Sequence, residues 1–137
     1  PTHRYDEVMP LTDLFLFDFK ATDSATHTQL TGVPNEKILA NLDHLYTNGA
    51  KIVLRCPLIP GINDDAGHLA GIAALAARYP NLLGVEIMAY HDMGESKAEH
   101  IGVGTRLPDV KTADPATQAA WIDTLHDLGC TVARISE

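Results

Sequence analysis

The sequence contains no run of apolar residues approaching the roughly 18 that a membrane-crossing helix requires, so a helical membrane span is excluded. Positive charge is also scarce. Ten Lys and Arg stand against eighteen Asp and Glu, a formal net charge of −8 with seven histidines uncounted. A protein that binds a phosphate backbone needs clustered Lys and Arg, so nucleic acid is not an expected partner. Cysteine is rarer still: Cys56 and Cys130 are the two in the chain. There is no CxxC, no histidine cluster at metal spacing and no disulfide framework, and the expectation is two buried, reduced thiols in a cytoplasmic protein. Repeats and low-complexity tracts are missing. The chain opens on Pro1, without an initiator methionine or a signal-peptide pattern, and the expectation is that a preceding segment has been removed.

What is present is a globular composition. The 137 residues, 45% of them apolar, suffice for one domain with a real core, 1–137, or for part of a larger one. Four segments read as strands: Asp13–Phe19, Lys51–Leu58, Leu82–Tyr90 and Cys130–Ile135. The first three are near-continuous apolar runs, the pattern of strands buried on both faces of a parallel sheet. Between them lie helical patterns. In NEKILANLDHLYTNG the apolar residues Ile38, Leu39, Leu42, Leu45 and Tyr46 mark one helix face, with Asn35 as N-cap and Gly49 as stop. DDAGHLAGIAALAARYPN predicts a second helix ending at Pro80. DPATQAAWIDTLHDLG predicts a third, with Asp114 as N-cap, Pro115 at its first position, Gly129 at its end and Trp121 in the core. The order β-α-β-α-β, a long loop, then α-β implies right-handed crossovers in an α/β fold. An open sheet and an arc of a (β/α) barrel both fit, and both collect ligands at the carboxyl ends of the strands.

Those strand ends carry chemistry. Side chains alternate along a strand, so Leu14, Leu16, Asp18 and Lys20 share one face and the three phenylalanines share the other. Asp18 and Lys20 are then a surface ion pair or the working end of a pocket. Arg55 interrupts the second apolar run and requires a partner, because an unpaired buried guanidinium is very costly. Pro57, Pro60 and Gly61 turn the chain out of the sheet. The third strand ends in Tyr90 and His91. Three successive strands thus deliver ionisable groups to one edge, a set suited to a polar, zwitterionic ligand with a ring system.

The ordered set D-x-K in DLFLFDFK, G-x-x-N-x-x-I-L in TGVPNEKIL, R-x-P-x-I-P-G-x-N-D in RCPLIPGIND and Y-H-x-x-G in YHDMG resembles the glycyl-radical-enzyme activating enzymes. These are radical S-adenosylmethionine proteins related to pyruvate formate-lyase activating enzyme, and the likeness runs from about Asp13 to Gly102. It implies an arc of a partial (β/α) barrel with mostly parallel strands, the C-terminal half of a TIM-like barrel. It further implies that Asp18, the backbone of Phe19, Lys20 and His91 contact S-adenosylmethionine, with Arg55 lining the same pocket. In the family a 4Fe–4S cluster passes one electron to the sulfonium, and a 5′-deoxyadenosyl radical then takes hydrogen from a glycine of a partner such as pyruvate formate-lyase. An electron donor such as flavodoxin serves the full-length protein.

The family's CxxxCxxC cluster loop is absent, and Cys56 and Cys130 stand elsewhere. The expectation is therefore a C-terminal part of such an enzyme, with no catalytic or metal-ligating residue of its own, inactive alone, and binding S-adenosylmethionine weakly or not at all. Its first strand lacks an earlier neighbour, which predicts self-association through that edge or cover by residues 1–12. The loop 91–104, with Glu95, Lys97, Glu99 and His100, is either a run of solvated charges or a border of the site that orders on docking. Two other readings remain: a small enzyme using Lys20 as a Schiff-base nucleophile, and a non-catalytic binding module with an acidic surface.

Overall fold

The computed structural model describes residues 2–89 and 112–136. The chain runs through α1 (Thr2–Val8), a 3-10 turn (Met9–Leu11), β1 (Phe15–Asp18), α2 (Ser24–Thr31), α3 (Glu36–Thr47), β2 (Ile52–Leu58), α4 (Ala66–Arg78), β3 (Gly84–Ala89), α5 (Pro115–Asp127) and β4 (Ala133–Ile135). The four strands form one parallel sheet in the order β1-β2-β3-β4. That order never reverses, and same-handed crossovers then place every connecting helix on one face. A doubly wound sheet reverses its order at a switch point. Of the two architectures open to the sequence, the barrel arc is the one formed.

The helix-covered face carries the core. Rows across the sheet, Phe17–Leu54–Val85–Ala133 and Cys56–Ile87–Ile135, follow from the register. They pack with Leu42 and Leu45 of α3, Ile72 of α4, and Trp121 and Leu125 of α5. Trp121 is core, as its position on α5 predicts, and its indole N–H also donates to Asp64 Oδ2 at 3.3 Å. Both cysteines are free thiols buried on this side.

The expectation that the apolar strands are buried on both faces holds for β2, where every residue except Arg55 is buried. It fails for β1. Leu14 is 44% and Leu16 56% exposed, while Phe17 and Phe19 are buried. Among the described residues helices cover one side only, and the leucine face of β1 looks the other way.

Helix ends follow local chemistry. Asp114 accepts the Thr117 N–H at 2.7 Å, Pro115 opens α5, and Gly129 leaves it with φ +93°. Gly49 ends α3 in the same left-handed region. Asn35 precedes α3 but makes no side-chain cap; its amide is spent elsewhere. Two helices carry no apolar period and escape sequence reading. One is α2, fixed by Asp23 accepting the Thr26 N–H at 2.8 Å and stopped at Gly32. The other is α1, which packs on α3 through Asp6 and His44 (2.7 Å) and sets Tyr5 edge-on to Phe15. The predicted last strand from Cys130 is shorter, because residue 130 closes the α5 turn through a bond from its N–H to Leu125 O.

Candidate ligand-binding site

The face opposite the helices carries a row of charges. Register sets Asp18 beside Arg55, Arg55 beside Glu86, and Glu86 beside Arg134. The signs alternate across all four strands. Glu86 is the hub: its Oε1 accepts from Arg134 Nη2 at 2.9 Å and its Oε2 lies 3.7 Å from Arg55 Nε. Arg55, half-buried, therefore has an ionic partner in Glu86. Arg55 Nε is nonetheless buried without a hydrogen-bond acceptor among the described residues. Gly84 leaves room for this row, since a Cβ there would sit 3.0 Å from Arg134 Nη1.

Asp18 and Lys20 leave β1 at its carboxyl end, Asp18 exposed and Lys20 half-buried, with Phe19 between them turned into the core. The segment that follows is held by two buried asparagines. Asn63, beyond β2, donates from Nδ2 to Lys20 O at 2.9 Å and to Pro57 O at 2.8 Å, and accepts the Ile59 N–H at 2.7 Å. Asn35 donates to Thr22 O at 2.8 Å and to Ala21 O at 3.3 Å. This is where the amide expected to cap α3 is used. It was not legible locally, because both carbonyls belong to another loop.

A third side chain completes the hold. His68 on α4 is buried against Phe19, with ring centroids 5.4 Å apart, and its Nδ1 accepts the Thr22 N–H at 3.1 Å. The ring proton then sits on Nε2, which is buried without a partner among the described residues. Burial holds the pKa of His68 down at about 4, against a weaker upward pull from Asp65. A cavity of about 340 Å³ opens beside this segment, between the starts of α2 and α4, lined by Thr22, Asp23, Asn63, Asp65 and His68 among others. Asp18, Lys20 and Arg55 do not line it.

The structure places Asp18, Phe19 and Lys20 at the carboxyl end of β1, whereas Arg55, expected at a strand end, lies in the middle of β2 and reaches Asp18 by register. Tyr90, His91 and the loop 91–104 lie outside the described residues. Glu86 and Arg134 were missed by sequence reading, although a charge between apolar neighbours in VEIM is the same signal that singled out Arg55. The rim fits one side of S-adenosylmethionine: a carboxylate, an ammonium, and in Arg55 Nε a buried donor lacking an acceptor. An iron–sulfur cluster does not fit. Burial pushes both thiols up, most strongly at Cys56, and among the described residues no group of His, Cys, Asp and Glu is arranged to hold a metal.

A parallel arc whose described helices lie on one face, with a row of ionisable groups on the other, defines the class: part of a (β/α) barrel. No protein-family model matches the chain. Individual proteins do. Over 93 residues it is 42% identical to the choline trimethylamine-lyase activating enzyme of Oleidesulfovibrio alaskensis, a match covering 66% of this chain and 30% of that protein. It is 34% identical to the indoleacetate decarboxylase activating enzyme of Tractidigestivibacter scatoligenes, covering 96% of this chain and 42% of that protein. The fold matches the crystal structure of a domain of pyruvate-formate lyase-activating enzyme from Bacteroides vulgatus. There the TM-score is 0.79 and the identity 28%, over 100% of this chain and 75% of that one. The homologues of this chain are glycyl-radical-enzyme activating enzymes, and it belongs with them. It spans well under half the length of these two relatives.

Proposed function

We propose that the chain is the C-terminal arc of a radical S-adenosylmethionine activase and supplies one side of its S-adenosylmethionine site. The observation that supports this reading is the register that sets Arg55 beside Asp18, two residues before Lys20, on an arc shared with activating enzymes. Asp18 offers a carboxylate to ligand hydroxyl or ammonium groups. Lys20 and Arg55 offer cations to the ligand carboxylate, Arg55 being aimed by Glu86. By resemblance His91 joins them. When bound with its cluster in the full-length protein, S-adenosylmethionine supplies the 5′-deoxyadenosyl radical that takes hydrogen from a glycine of the partner. That partner is a glycyl radical enzyme, pyruvate formate-lyase or a relative, with flavodoxin or a similar protein as electron donor and the cytoplasm as compartment. The chain lacks the thiolates for a cluster and is inactive alone.

Titrating the isotope-labelled chain with S-adenosylmethionine tests the reading. Weak binding in the millimolar range is expected, with amide shifts centred on Phe19 and Lys20. Asp18→Ala combined with Lys20→Ala should abolish them. The same response in the double variant, or shifts only at residues away from β1 and β2, would sink the assignment.

The open edge of β1 belongs to the same proposal. In the sheet β1 pairs with β2, and its other side has no strand among the described residues. Exposed Leu14 and Leu16 adjoin that edge. Two copies should associate there. Sedimentation velocity is expected to show a concentration-dependent dimer that Leu16→Lys disperses; a monomer at all concentrations would argue against it.

A further inference from the structure

The charge row crosses the sheet from Asp18 through Arg55 and Glu86 to Arg134, and the ligand reading uses only its first two members. A carboxylate can accept from two guanidiniums, one at each oxygen. Glu86 does not share itself evenly. Its Oε1 accepts from Arg134 Nη2 at 2.9 Å, while its Oε2 stands 3.7 Å from Arg55 Nε, beyond hydrogen-bond reach. Arg55 Nε is thereby left without an acceptor among the described residues. The Arg55 side chain is 28% exposed, on the face that no described helix covers, so a ligand can reach it.

The seat of Arg134 fits this asymmetry. Its guanidinium lies against Gly84, on the same face of β3 as Glu86. A Cβ at 84 would come within 3.0 Å of Arg134 Nη1 and 3.4 Å of its Cζ and Nη2. Gly84 is not among the glycines with positive φ, so no left-handed turn calls for glycine there. What the missing side chain provides is room for Arg134 to draw Glu86 toward β4.

We propose that Arg134 is a positioning residue: by holding Glu86 through the shorter contact, it keeps that carboxylate off Arg55 and leaves the Arg55 guanidinium free for the carboxylate of a ligand bound beside Asp18 and Lys20. The inference rests on the S-adenosylmethionine reading and adds to it a residue two strands away that touches no ligand and acts through Glu86. Without Arg134, Glu86 has one cation left and closes on it. Arg55 then spends a charge-assisted hydrogen bond on the protein instead of on the ligand.

The unliganded chain gives the first test. In Arg134→Gln the Arg55 Nε–H resonance should move downfield and exchange more slowly with solvent, because the proton gains Glu86 as acceptor. The melting temperature should stay close to the parent's, since the Arg134 side chain is 56% exposed. An unmoved Nε–H overturns this proposal alone, with no ligand involved. Affinity gives the second test. S-adenosylmethionine binding should weaken about fivefold in Arg134→Gln, the effect of one competing hydrogen bond. The same substitution made in Glu86→Gln should cause no further loss. An equal loss in both backgrounds would make Arg134 a distant charge acting directly on the ligand, and overturns the proposal. Ligand shifts confined to residues away from β1 and β2 in the parent remove the ligand reading, and this inference with it, whatever the Nε–H does.

Discussion

Gly71→Ala is expected to destabilise the chain by about 1–2 kcal/mol, measured as a lower urea midpoint at unchanged slope. The sign is the informative part. Gly71 lies inside α4, and alanine in place of glycine in an exposed helix stabilises by about 1 kcal/mol. Here a Cβ at 71 would run into Thr22, meeting its hydroxyl first and lying only 2.7 Å from its Cβ. Rotating the Thr22 side chain does not relieve a contact with its Cβ. Nor is Thr22 free to retreat. His68 Nδ1 accepts its N–H at 3.1 Å and lies 2.9 Å from its hydroxyl, and Asn35 holds its carbonyl at 2.8 Å. Thr22→Ala removes two of the atoms in the way, so the double variant should recover part of the loss, with a coupling of about 1 kcal/mol. A Gly71→Ala protein more stable than its parent would show that β1's exit is not held against α4 as described.

The second large effect is acid sensitivity from His68. Burial lowers its folded pKa from the ordinary 6.5 to about 4. The unfolded chain then binds more protons than the folded one between those values, so stability is full above about 6.5 and falls as the pH drops toward 4. At about 1.4 kcal/mol per pH step, the interval is worth about 3 kcal/mol. Asp23 and Asp114 are held below the usual carboxylate range by their cap bonds to the N–H and hydroxyl of Thr26 and Thr117. Their contribution is lost only below about 3.8, so they leave this window clear. Urea denaturation from pH 7 to pH 4 should show the fall in the parent and a flat profile in His68→Gln, whose stability at pH 7 is already lower. Parallel profiles for the two proteins would assign the acid sensitivity elsewhere.

How far the sequence revealed this arrangement depended on whether a signal was local. Arg55 announced itself by interrupting an apolar run, and α3, α4 and α5 by their apolar faces, with Asp114, Pro115 and Gly129 marking the ends of α5. The helix α2 did not, because a polar segment held by one aspartate and a glycine has no apolar face to read. Asn35 and Asn63 were visible only as letters in motifs. Their amides bond to backbone from distant loops, and no periodicity encodes such a partner. The charge row was hidden for a related reason: Glu86 and Arg134 become neighbours of Arg55 only once the register is set.

The side of β1 that pairs with no strand among the described residues has a polarity of its own. Because the amides of Phe15 and Phe19 turn toward β2, those of Leu16 and Asp18 turn outward. The residue whose carboxylate heads the ligand rim is also one whose main chain faces the seam. Any strand that joins there grips Asp18 from behind, and any ligand grips it from above. Were the proposed ligand and a further strand both to bind, they would act on the same few atoms, and whatever effect one had on the other's affinity would be returned equally.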